Sequence, residues 1–106
     1  MMYELLMMMS GEICHTLSQD NPATMWVGED GIEIVYPSGK SVFLPMAMVV
    51  NAINTLVKRG KLTVDEVHLE ITDEHRNRTD KLMAVLRKLP GVSFDRYPRV
   101  LYYNRP

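Results

Sequence analysis

The apolar positions of this chain recur with two periods, and those periods assign its elements. Between Pro45 and Gly60, the residues Met46, Val49, Val50, Ile53, Leu56 and Val57 stand at i, i+3, i+4, i+7, i+10 and i+11. That is one stripe on a helix of about fourteen residues. Asn51, Asn54 and Lys58 take the opposite side. Pro45 suits the first turn, where its missing N–H has no partner to lose, and Gly60 suits a left-handed cap. Thr63-Val64-Asp65-Glu66 then matches a capping box, in which hydroxyl and carboxylate satisfy each other's orphan N–H groups. A short second helix is expected from Thr63 to about Leu69, with Val64 and Val67 buried. Thr72 or Asp73 can cap a third helix reaching Leu89, with Leu82, Leu86 and Leu89 at i, i+4 and i+7 and with Met83 and Val85 widening the face.

Residues 3–17 also read as a helix, with Leu6, Met9, Ile13 and Leu17 at helical spacing. Asn21-Pro22 ends it, because proline disfavours helix in the residue before it. Residues 31–36 alternate as a strand does, 37–40 (Pro-Ser-Gly-Lys) are turn chemistry, and 41–44 return as the second strand of a hairpin. After Pro90-Gly91 the chain reads as a short strand over 92–94, a basic loop over 95–99 and a strand over 100–103. No linker is long enough to separate a pair of domains. The expectation is a single α+β domain: an N-terminal helix and β-hairpin over 1–44, then a helix-rich unit over 45–103.

Composition narrows the class. The chain has 106 residues, 46% apolar and 24% charged, enough for a core without staples and too apolar for wholesale disorder. Cys14 has no partner for an internal disulfide, and three scattered histidines complete no zinc box with it. A reducing compartment such as the cytoplasm is expected. No apolar run is long enough to span a membrane, and Met1 to Met9 lacks a basic leader and a cleavage site, so no signal peptide is expected. Charge changes the picture more. Residues 1–74 hold four basic and eleven acidic side chains, a net of −7, and residues 75–106 hold eight basic and two acidic, a net of +6. Such asymmetry points to an anionic partner or a self-complementary assembly. The other reading is that the halves pack together and neutralise each other.

The order helix, short extended segment, helix, helix, strand, loop, strand over 45–103 resembles a winged helix-turn-helix domain. The resemblance rests on that order, on the Gly60-Lys61-Leu62-Thr63 junction and on the Leu89-Pro90-Gly91-Val92 link. It implies a third helix that enters the major groove of DNA and a wing that touches the backbone. The helix contacts would be His75, Arg76, Asn77, Arg78, Lys81 and Arg87, and the wing contacts Arg96 and Arg99. Arginine can bind a guanine edge or a phosphate through two bonds, and asparagine can do so to adenine. Tyr97 would donate its hydroxyl to a phosphate.

Catalytic and metal motifs fail on spacing. Gly39-Lys40-Ser41 resembles the tail of a phosphate-binding loop, but Ile34 stands where the leading glycine is needed and a strand follows instead of a helix. Cys14-His15 is an adjacent pair, a poor geometry for tetrahedral ligation. No Ser-His-Asp or paired-carboxylate constellation stands out, so neither enzymatic activity nor a cofactor is expected. Two functions remain. The first is a regulator that binds double-stranded DNA as a homodimer, paired through Leu6, Met9, Ile13 and Leu17, although that face can instead cap the chain's own core. The second is a protein-interaction module, a complex subunit or small inhibitor, acting through the Met-rich N-terminal helix or the acidic hairpin with Glu29, Asp30 and Glu33. A basic surface continuous over third helix and wing would favour the first, and arginines tied up by Asp73, Glu74 or Glu70 the second.

Overall fold

The computed structural model describes residues 2–72 and 76–104. It is a mixed α+β chain with two antiparallel sheets. A short helix α1 (Met2–Met8) leads into β1 (Ile13–His15), β2 (Pro22–Val27), β3 (Gly31–Val35) and β4 (Ser41–Pro45). These four strands form a meander in the order β1-β2-β3-β4. There follow α2 (Met46–Arg59), β5 (Lys61–Thr63), α3 (Val64–Glu66) continuing as a π-helical stretch over Val67–Ile71, α4 (Arg76–Leu86), β6 (Val92–Arg96) and β7 (Arg99–Tyr103). The second sheet is ordered β5-β7-β6.

Local signals for α2 and α3 act as their chemistry requires. Pro45 closes β4 and opens α2, whose first N–H, at Met46, donates to the Asp30 carbonyl oxygen at 2.9 Å. Gly60 ends it at φ 77°, its N–H bonded to the Leu56 carbonyl oxygen. Thr63 Oγ1 accepts from the Glu66 N–H at 3.1 Å, and Glu66 Oε1 accepts from the Thr63 N–H at 2.9 Å. The third helix is shorter than its apolar spacing predicts, because 87–89 leave it through turn bonds from Arg87, Lys88 and Leu89. Thr72 is buried and bonds the Val67 carbonyl oxygen and the Thr79 hydroxyl. The strands of the C-terminal hairpin are longer than expected and leave only Tyr97-Pro98 between them.

The 3–17 helix is corrected. Its first turns form α1, but Gly11 turns the chain at φ 88°, and Ile13, Cys14 and His15 pair with Thr24, Ala23 and Pro22. The expected hairpin is likewise two strands of a larger sheet. Pro22–Val27 alternates, with Ala23, Met25 and Val27 buried and Pro22 and Trp26 exposed, and backbone pairing to β1 and β3 outweighs any local preference. One apolar cluster joins the halves: Leu6, Leu17, Met25, Ile32, Ile34 and Leu44 pack with Ile53, Leu56, Leu62, Leu82, Met83, Leu86 and Leu101. The inner face of the meander thus closes over α4, through β1 and β4, and over α2.

Candidate functional site

Helix α4 carries Arg76, Asn77, Arg78 and Lys81 of the residues that the sequence suggests, and the fold packs its C-terminal half on all sides. Thr79 and the run Leu82, Met83, Ala84, Val85 and Leu86 are buried, and from Arg78 to Lys88 no side chain is fully exposed. A helix buried around its whole circumference has neighbours on opposite faces. Here they are the α3 and π-helical segment on one side and strands β1 and β4 on the other.

The basic side chains follow from that packing. Lys81 reaches the Tyr36 ring, its Nζ 5.3 Å from the centroid. Arg87 Nη1 donates to the His15 carbonyl oxygen at 3.1 Å and to Asp20 Oδ1 at 3.2 Å, and its guanidinium lies 4.0 Å from the Phe94 centroid. Arg96 Nη2 meets the same Asp20 oxygen at 3.1 Å, and Lys88 meets Glu12 at 2.9 Å. Arg99 pairs with Asp80 at 3.5 Å, and Ser18 Oγ donates to the other oxygen of that carboxylate at 2.9 Å. Asp20 and Glu12 of the acidic N-terminal part therefore meet Arg87, Arg96 and Lys88 of the basic C-terminal part within one molecule. Desolvation would raise the Asp20 carboxyl, but the Arg87 hydrogen bond and the charges of Arg96, Arg87 and His15 outweigh it and hold the group below its ordinary range.

Of the other sequence-derived positions, Arg78 is half-buried on α4, and Tyr97 stands 91% exposed at the tip of the β6–β7 hairpin. His75 and the side chains of Arg76 and Asn77 lie outside the described residues. The proposed pairing face is dismantled: Leu6, Met9 and Leu17 are buried in the chain's own core, while Ile13 faces outward from β1. The reason is that Ile13 follows the period of a strand and not that of a helix.

The meander's outer face carries two exposed aromatic side chains. Trp26 is 53% exposed and Phe43 43%. In the sheet register Trp26 lies opposite Glu33, and Glu33 opposite Phe43. The next row brings together Ile13, Thr24, Val35 and Ser41. A shallow groove lined by Trp26, Phe43, Glu29, Asp30 and Glu33 crosses the first row. The alternation of Pro22–Val27 was the signal that could have revealed Trp26 as an outward residue.

A second concavity, of about 200 Å³, lies between α3, α4 and β7, lined by Val64, Asp65, His68, Thr79, Asp80 and Arg99. His68 Nδ1 is buried beside it without a hydrogen-bond partner among the described residues. Among the described residues no group of three His, Cys, Asp or Glu side chains suits a metal ion, and no helix is long and apolar enough to cross a membrane. No protein-family model, curated protein or solved structure matches the chain.

Proposed function

We propose that the chain is a non-enzymatic protein-interaction module in which a winged-helix-like unit serves as scaffold. The winged-helix assignment is supported by the order α2, β5, α3, α4, β6, β7 and by the strand order β5-β7-β6. The observation that carries the functional assignment is the burial of α4. In a groove-reading protein that helix offers an exposed face to base edges, whereas here β1, β4 and the α3 segment pack on α4, with Thr79 and residues 82–86 buried and Arg78, Asp80 and Lys81 partly buried. Arg87, Arg96 and Arg99 have carboxylate partners within the chain, so a phosphate would compete with a carboxylate for each of these guanidinium groups. The outer face of the meander, by contrast, leaves Ile13, Trp26 and Phe43 exposed together on one sheet.

A second reading, duplex DNA bound through the hairpin tip, draws on the element order and on the exposure of Tyr97 between Arg96 and Arg99. A mobility-shift titration with random duplex DNA at low and high salt separates the two. The interaction module leaves micromolar protein and DNA unassociated at both salts. Retardation that weakens with salt, by a log–log slope near −0.9 per phosphate neutralised, would return the weight to DNA.

A further inference from the structure

We propose that the row Trp26–Glu33–Phe43 on the outer face of the meander docks a segment of a partner protein that carries an arginine or lysine beside apolar side chains. The inference rests on the protein-interaction reading above and specifies the partner's chemistry.

Neighbouring strands lie about 4.8 Å apart, so the two aromatic side chains are rooted roughly 10 Å apart with the Glu33 carboxylate between them. A cationic head placed over Glu33 stands about one strand spacing, roughly 5 Å, from the root of each aromatic side chain, inside a groove that Trp26, Glu33 and Phe43 line together. Its charge meets the carboxylate directly, and its aliphatic stem covers ring surface.

Both rings are backed by glycine. A methyl group at Gly11 would stand 3.5 Å from the Trp26 indole, and one at Gly31 would stand 2.6 Å from Phe43 Cζ. The side chains therefore lie against bare backbone, which limits the freedom they lose on binding. Tryptophan anchors of this kind dominate protein interfaces.

Charge selects the occupant. Glu12, Asp20, Glu66 and Glu70 have basic partners within the fold. Glu29, Asp30 and Glu33 line the groove together with no basic side chain, and none of the three has an ion pair among the described residues. Three carboxylates around two exposed rings repel nucleic acid and acidic lipid and favour a cation. Ile13 and Val35 in the adjacent row extend the apolar ground for the residues that flank it.

The test is selection from a random-peptide display library on the immobilised full chain, with Trp26→Ala as counter-screen. Affinities of the selected peptides are then measured by the fluorescence of Trp26, the only tryptophan. Enriched peptides are expected to carry arginine or lysine flanked by apolar residues. Glu33→Gln and Phe43→Ala should each weaken them by about tenfold, the scale of one cation–π or charge-assisted contact. Both side chains point outward, and far-UV circular dichroism checks that the variants are folded. Peptides that need Trp26 but lack basic residues would keep the interaction reading and overturn the basic partner. Basic peptides indifferent to Glu33→Gln would also overturn it. If no enrichment depends on Trp26, both readings fall.

Discussion

Asp20 Oδ1 stands 3.2 Å from Arg87 Nη1, joining the turn between β1 and β2 to the end of α4 across 67 positions of sequence. The same oxygen lies 3.1 Å from Arg96 Nη2. Asp20 holds a left-handed backbone at φ 56°, a region that aspartate tolerates better than most residues. One carboxylate thus ties the meander to both the helix and the wing-like hairpin.

That relationship has a pH dependence of fixed sign. The Asp20 carboxyl is held below its ordinary value, so its stabilisation is fully present above the unfolded pKa of about 3.9 and is lost as pH falls through the folded value. Asp20→Asn should therefore lower the urea midpoint at neutral pH, and the gap to the natural chain should close in acid. A gap that persists unchanged below the folded pKa would assign the effect to the backbone conformation instead of the charge.

The continuous core makes the two sheets one cooperative unit. Trp26 fluorescence, which reports on the meander, and far-UV circular dichroism, which reports mainly on the helices, should give coincident denaturation curves. Leu44→Ala, at a fully buried position of β4 facing α4, should shift both curves together by about 2–5 kcal/mol. Separated transitions would mean that the meander and the C-terminal unit fold apart.

Gly31 is set by close approach. A Cβ there would collide with the Leu44 carbonyl oxygen and press on the Phe43 ring. Gly31→Ala should cost about 1–3 kcal/mol, as overpacking does, and should change the environment of the neighbouring Trp26. Thermal melts and the tryptophan emission maximum read the two effects.

Cys14 is buried in β1, and desolvation pushes its thiol up, only partly offset by Lys88, a backbone hydrogen bond and Arg87. Thiolate is the reactive form. Labelling by iodoacetamide at neutral pH should run roughly a thousandfold or more slower than in the urea-unfolded chain, as expected where opening costs about 5 kcal/mol. Rapid native labelling would show that β1 opens on its own.

The chain's local chemistry determines what is settled within a few residues. The helix from Met46, the Gly60 cap, the Thr63–Glu66 box and the Pro37–Lys40 turn all appear in the fold, because each is a backbone preference or hydrogen bond closed over one turn, although of the α2 stripe Val49, Ile53 and Leu56 are buried and Val50 is exposed. Leu6, Met9, Ile13 and Leu17 mark the boundary of that legibility. Their spacing suits one long helix, yet three are buried from separate elements and Ile13 is turned outward by strand pairing with Thr24. Sequence alone left open whether the charge asymmetry is met by a partner or within the chain. Tertiary structure decided that Asp20 and Glu12 lie beside Arg87, Arg96 and Lys88, and that α4 is covered while Trp26 and Phe43 are not. Burial belongs to a pair of surfaces, and which surface covers which depends on contacts between residues far apart in sequence, where no local preference reaches.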